Sequence, residues 1–268
     1  MDWSKAKTIL IVTLLLLNIF LLAMIIFTNT DGLFTSNYNR YAIDYLRSRD
    51  IKINTDIPSI SGSVGKIIYT TKEYNPDELC VKVFGDVVSS SVNGNNFYIE
   101  FGEESINLSE NLLIITDKLS DGKELFSQPE RLKDKLVKYL EDLDFSKKNI
   151  VAGEIKDIGG NKEMKFYFKY KNNFIFDHEI TARLSSDGLL TLWVPTKNIN
   201  NGNGANEILP AHQILVMSGL SSGIGIDKVD FGYKQISEGD IYGNPVWRVI
   251  LDDGTTIFYN AYTGVMLY

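Results

Sequence analysis

The sequence predicts an α+β protein carried on an N-terminal transmembrane helix. Residues 9–27 form an unbroken uncharged run, Ile-Leu-Ile-Val-Thr-Leu-Leu-Leu-Leu-Asn-Ile-Phe-Leu-Leu-Ala-Met-Ile-Ile-Phe. Beyond it, a helical pattern followed by several antiparallel-looking strand patterns recurs three times, which suits helices packed on one face of antiparallel sheets. A single cysteine, Cys80, rules out an intrachain disulfide, so the core must hold the fold.

The apolar run would span roughly 28 Å as a helix, close to the ~30 Å hydrocarbon core of a bilayer. It exceeds the h-region of a cleaved signal, and Thr28-Asn29-Thr30-Asp31-Gly32 offers no Ala-x-Ala-like site. An uncleaved anchor over 9–28 is expected. Lys5 and Lys7 precede it and Asp31 follows, so the positive-inside rule places 1–8 in the cytoplasm and the C-terminal part outside the cell. Trp3, Lys5 and Lys7 read as an interfacial anchor, an indole at headgroup level beside cations facing anionic lipid. Asn18 is the one strongly polar group at mid-membrane depth and a candidate for an interhelical hydrogen bond, with Thr13 a weaker second.

Residues 29–268 carry 25 Lys and Arg against 33 Asp and Glu. An acidic ectodomain without a basic run argues against nucleic acid. Its first helical pattern places Tyr38, Tyr41, Ala42, Tyr45 and Leu46 on one face, with Ser36 or Asn37 as cap after a polar stretch from Asp31. Strands are expected at Gly65–Thr71, Leu79–Phe84 (with Cys80 buried), Asn96–Phe101 and Ile106–Leu108, with a turn at Asn93–Asn96 and a short apolar run at Leu112–Ile115. The stretch Ser120–Ser127 reads as a linker, giving domains 29–120 and 121–268.

Ser127-Gln128-Pro129-Glu130 opens the next helix, whose buried side is Leu132, Leu136, Val137, Tyr139, Leu140 and Leu143. Strands are expected at Ile150–Ile158, Met164–Tyr170, Glu179–Leu184 and Leu189–Val194, then a polar loop at Asn198–Asn206. A third helix over Ile208–Met217 has Pro210 in its first turn. Strands at Ile226–Ser237, Val246–Leu251, Thr255–Asn260 and Val265–Tyr268 complete the chain.

No catalytic, cofactor or metal site is expected. Two histidines, His178 and His212, without cysteine pairs make no zinc spacing, and there is no Gly-x-Ser-x-Gly. Gly219…Gly223-Ile224-Gly225 precedes a strand and is no nucleotide fingerprint. In Asp177-His178-Glu179 alternation should turn the carboxylates to one face and the imidazole to the other, as on a solvated sheet. Aromatics cluster at 166–176 and 258–268, half of each set available for a protein-binding patch.

The opening Met-Asp-Trp-Ser-Lys-Ala-Lys-Thr, running into the span and its Asn18-Ile19-Phe20-Leu21, resembles the start of the YycI (WalI) family. The ending is similar to that shared by YycI and YycH proteins: Ile226-Asp227-Lys228-Val229-Asp230-Phe231-Gly232-Tyr233, Pro245-Val246-Trp247-Arg248-Val249, then Tyr259-Asn260-Ala261-Tyr262-Thr263-Gly264, the last part looking like a PepSY unit. The resemblance implies YycH/PepSY-like units and a non-enzymatic regulator. Its implied partners are a sensor histidine kinase (YycG/WalK) of a two-component system controlling cell-wall metabolism and a YycH-like protein. An anchored extracellular enzyme, or a ligand- or peptidase-binding protein of PepSY-like type, is the alternative.

Overall fold

Strand β1 (Lys52–Ile53) follows two N-terminal helices, α1 (Trp3–Thr28) and α2 (Asp31–Ser48). Next come β2 (Ser63–Val64), β3 (Ile67–Thr71), α3 (Pro76–Phe84), β4 (Ser91–Asn93), β5 (Asn96–Phe101), β6 (Glu104–Leu108) and β7 (Leu112–Lys118). Helices α4 (Gly122–Phe126) and α5 (Pro129–Asp142) lead into β8 (Ile150–Ile158), β9 (Asn161–Tyr170), β10 (Asn173–Leu184), β11 (Leu189–Pro195), β12 (Lys197–Asn201) and β13 (Asn206–Glu207). The chain ends with α6 (Ala211–Met217), β14 (Gly225–Lys234), β15 (Tyr242–Leu251), β16 (Thr256–Asn260) and β17 (Met266–Leu267). This computed structural model describes residues 3–28, 31–86, 91–93, 96–109, 111–237 and 239–267, with backbone only at 4–6, 25–28, 31–36 and 91–93. The expected turn at Asn93–Asn96, the Lys5 side chain and Tyr268 therefore lie outside the described residues.

The fold is α+β, with one N-terminal apolar helix and large, mostly antiparallel sheets. It divides into two compact units, neither continuous in sequence. Unit 1 comprises Met1–Ile60, Pro210–Val229 and Ile250–Thr255; unit 2 comprises Ser61–Leu209, Asp230–Val249 and Thr256–Tyr268.

In unit 2 the strands run in the order β12-β3-β15-β14-β10-β11-β7-β6-β5-β4, with β9 and β8 added alongside β10 and β16 and β17 alongside β15. Strands β7 and β11 pair over seven residues, from Leu112–Pro195 to Lys118–Leu189. This ladder joins the two stretches expected to be separate domains. The core agrees: Ile99, Ile106 and Ile115 share one cluster with Leu132, Leu136, Leu140, Phe166 and Leu192. Nor is Ser120–Ser127 a free linker, since Gly122–Phe126 within it form α4. A Cβ on Gly122 would meet the Gly188 backbone at 2.6–2.7 Å, so the two glycines let two main chains touch. Gly122→Ala is expected to lower stability by about 1–3 kcal/mol, read as a fall in melting temperature of the full chain in detergent.

Other expectations fail on local grounds. Leu79–Phe84 is helical: Asn75 accepts from the Asp77 N–H at 3.0 Å, Pro76 fits the first turn, Asp77 and Glu78 favour the positive helix end, and Gly85 closes it at φ 75°. Cys80 is buried as expected, but on a helix. The polar stretch from Asp31 is also helical, so no cap at Ser36 or Asn37 exists. Of the expected loop Asn198–Asn206, the first part is strand β12, antiparallel to β3. Pro210 takes the extended N-cap position (φ −66°, ψ 154°), one residue before the helix. Strand β14 pairs in parallel with β1 in unit 1 and with β10 in unit 2, so the sheet is not wholly antiparallel.

Helix α5 forms as expected. Leu132, Leu136 and Leu140 repeat every four residues and are at most 2% exposed, with Leu143 at 4%. Val137 and Tyr139 are only partly buried.

Candidate functional site

Two features of unit 1 present themselves outward. The first is α1, whose window Lys7–Met24 is long and apolar enough to cross a membrane and has no share of its surface buried. Trp3 is 75% exposed, and the Lys7 ammonium lies 5.5 Å from its ring centroid, a cation–π pair suited to an interface. Thr13 satisfies its hydroxyl by donating to the Ile9 carbonyl at 2.9 Å. Asn18 is exposed and has no hydrogen-bond partner among the described residues, so its amide is available to a group outside the helix.

The second is α2. Its residues do share one side, but the core takes only the small and aliphatic members: Ala42 is 4% and Leu46 0% exposed, while Tyr38, Tyr41 and Tyr45 stand at 57, 72 and 46%. Helix α6 lies beside α2 and buries Ala211, Ile214 and Leu215. Between them runs a mostly apolar groove of about 340 Å³ lined by the three tyrosines, His212 and Val216. The Tyr38 and His212 rings stack at 5.6 Å and 9°. Burial pushes the His212 pKa down, and its Nδ1 lacks a partner in the described residues. Below α2, Asn39 donates to the Ile57 carbonyl at 3.1 Å, and Arg49 to the Leu220 carbonyl at 3.3 Å, which fixes the helix under its exposed tyrosines.

The Asp177-His178 pair behaves unlike the solvated sheet expected of it. Strand β10 bulges between Ile175 and Glu179, so that alternation breaks and both side chains turn inward. Asp177 accepts from the Tyr69 hydroxyl at 2.9 Å and from the Gln235 N–H at 2.6 Å. The His178 ring, 3% exposed, stacks on Tyr69 at 4.4 Å and 4°. Burial pushes the Asp177 carboxyl up. The His178 ring, the Gln235 N–H and the Tyr69 hydroxyl outweigh that and hold it below the usual carboxylate range. Burial and the Asp177 charge push the Tyr69 hydroxyl far up. The cluster is a packed polar network that closes the bulge.

Most aromatics of the two expected clusters are engaged within unit 2. Phe166 and Tyr259 are fully buried, and Phe174, Phe176 and Phe258 form a row capped by Lys169, Arg248 and Lys234. The exposed tyrosines of α2 lie outside both clusters. The signal that could have found them is their bulk: a face already supplied by Ala42 and Leu46 has no room for three phenols beside the same core.

No family model and no curated protein matches the chain. Among solved structures it is similar to an uncharacterized protein from Eubacterium rectale, at 14% identity over 82% of this chain and 91% of that one, with a TM-score of 0.50. It is also similar to the Bacillus megaterium YpeB C-terminal domain, at 11% identity over 74% of this chain and 97% of that one, with a TM-score of 0.47. At such identities the likeness to the Eubacterium rectale protein concerns fold alone, and neither structure bears directly on the YycI resemblance.

Proposed function

We propose that the protein is a membrane-tethered extracellular regulator that acts through protein contacts, in the bilayer and just outside it. The observation that carries this reading is the outward tyrosine face of α2, whose first residue, Asp31, follows the last residue of the apolar helix, Thr28, by three positions. Tyrosine is a frequent anchor of protein interfaces because it buries much area with few rotors and keeps a polar tip. The groove beside it holds one histidine and no carboxylate, which favours contact over catalysis. Together with the YycI-like octet, this supports a sensor histidine kinase of the YycG (WalK) type and a YycH-like protein as partners.

Topology is tested first. A reporter active only outside the cell, fused after Tyr268, is expected to be active, with the first residues retained in the mature chain. Recovery of a secreted fragment starting near Asp31 as the main species would overturn the anchor.

Contact within the bilayer is tested by Asn18→Leu. Leucine keeps similar bulk and removes the directional bond, so association with the kinase or the YycH-like protein should weaken by roughly 0.6–2 kcal/mol, about three- to thirtyfold, with insertion intact. A FRET titration in membranes reads this. Unchanged association would move the contact to the ectodomain, and turnover of a peptide or ester by the purified chain would favour the anchored enzyme.

A further inference from the structure

Unit 2 carries two consecutive Asn-Gly pairs, Asn201-Gly202 and Asn203-Gly204, in the stretch that leads from β12 to β13. A third pair, Asn93-Gly94, extends beyond the described residues. Asparagine before glycine is chemically labile. The main-chain nitrogen that follows the asparagine can attack the carboxamide carbon, and glycine has no Cβ to obstruct the approach. Folding imposes two further conditions. The attacking N–H must be free of hydrogen bonds, and the main chain and carboxamide must be able to turn toward each other.

Both asparagines are exposed, so neither sequence nor accessibility separates the two pairs. The backbone does. Asn201 is the last residue of β12 and is registered with Ile67 on β3. The Gly202 N–H donates to the Lys66 carbonyl at 2.9 Å. A Cβ at Gly202 would stand 2.5 Å from that oxygen, so the two main chains are pressed together. The Asn201 carboxamide oxygen accepts from the Tyr170 hydroxyl at 3.4 Å. Both reacting groups are held, each by a different strand.

Two residues later these restraints are gone. Asn203 and Gly204 lie past the end of β12 and before β13 begins at Asn206. Neither the Asn203 carboxamide nor the Gly204 N–H has a hydrogen-bond partner among the described residues. Gly204 stands in the left-handed region at φ 80°, and nothing lies within 4 Å of the place a Cβ would take.

We propose that Asn203 is a site of spontaneous, enzyme-free deamidation, with the Gly204 nitrogen as nucleophile and water as co-reactant, while the β12–β3 ladder protects Asn201. The Gly204 nitrogen yields its proton to solvent base and bonds to the Asn203 Cγ. The side-chain nitrogen departs as ammonia and leaves a cyclic succinimide. Water then opens the ring. Cleavage between the nitrogen and Cγ gives aspartate at 203. Cleavage between the nitrogen and the main-chain carbonyl carbon gives isoaspartate, with the chain rerouted through the former side chain. Water enters, ammonia leaves, and nothing is oxidised or reduced. Either product puts a new negative charge between two strand ends fixed at Asn201–Ile67 and Asn206–Val64. The site is independent of the tyrosine face and of any partner protein.

The test is peptide mapping by mass spectrometry of the full chain in detergent, sampled over weeks in mildly alkaline buffer. Fragment spectra assign the exchange of amide for acid to one asparagine or the other, and chromatography separates aspartyl from isoaspartyl peptides. Deamidation at Asn203 is expected to run at least about tenfold faster than at Asn201, which reacts only in molecules whose strand end has opened. Both aspartyl and isoaspartyl products are expected there. In urea the two positions should react at similar rates, because unfolding leaves two bare Asn-Gly pairs. Gly204→Ala should slow the reaction at Asn203 by a similar factor, since its Cβ obstructs the attack. The Asn201 rate is the folding control for that variant, and the comparison within the parent chain stands without it. Equal rates at the two positions in the folded chain, faster loss at Asn201, or an intact Asn203 in a chain that deamidates in urea overturns the proposal. So does a folded Gly204→Ala chain that deamidates at Asn203 at the parent rate.

Discussion

Asp177→Ala is expected to lower the stability of unit 2 by about 3–4 kcal/mol, the range for breaking a buried, charge-assisted network. The loss has three sources. The Tyr69 hydroxyl and the Gln235 N–H, both part-buried, lose the carboxylate they donate to. The His178 ring loses its polar neighbour at 3.4 Å while remaining 3% exposed. The bulge between Ile175 and Glu179 loses the anchor that closes it. For a domain of this size the melting temperature should fall by about 6–15 °C. Asp177→Asn keeps one acceptor and should lose less, about 1–3 kcal/mol.

The same residue fixes a pH dependence. Its folded-state pKa lies below its unfolded value, so its contribution is fully present above the unfolded pKa and disappears as pH falls through the folded one. Melting temperature followed through the acid range should therefore decline in the parent chain and decline less steeply in Asp177→Asn. A parallel decline in the two chains would show that Asp177 is not held ionised by its neighbours.

Replacing Tyr38, Tyr41 and Tyr45 together with serine is expected to abolish association with the partners proposed above, if the α2 face is the contact. A central interface tyrosine costs about 2 kcal/mol or more when truncated. Three acting together exceed the ten- to hundredfold window of most pull-downs, even allowing for non-additivity. All three are 46% exposed or more, so the fold should tolerate the change, and a melting temperature near that of the parent chain is the internal control. Detergent co-purification with the kinase and with the YycH-like protein, one at a time, reads the loss. Full retention of both partners by a stable triple variant would remove the α2 face from the mechanism. It would leave the Asn18 contact as the remaining element.

Where local signals agreed, they were enough. Helix α5 follows from Pro129 at its start and a four-residue leucine repeat. Strands β8 to β11 follow from alternation and the glycine-bearing turns at Gly159-Gly160 and Gly188, all at positive φ. Where two local signals competed, the wrong one was easy to follow. Leu79-Cys80-Val81-Lys82-Val83-Phe84 has the apolar, β-branched content of a strand, yet the cap at Asn75, Pro76 and the early acidic residues decide for a helix. Ser120–Ser127 has the composition of a linker, but composition does not report that Gly122 will meet Gly188 from another strand connection.

By itself the sequence determined the apolar helix, because an uncharged run of bilayer length needs no partner within the chain to define it. It also determined the α+β class, because periods of 3.6 and 2 are properties of contiguous residues. Only the tertiary structure decided which members of a face are buried. Tyr38, Tyr41 and Tyr45 share a helix side with Ala42 and Leu46, but where α2 meets α6 and β1 only the smaller pair is buried. Asp117 and Asp177 look like surface carboxylates in the sequence and are drawn inward by a helix laid over one and a bulge beneath the other. Burial belongs to the meeting of elements far apart in the chain, and no local pattern carries it.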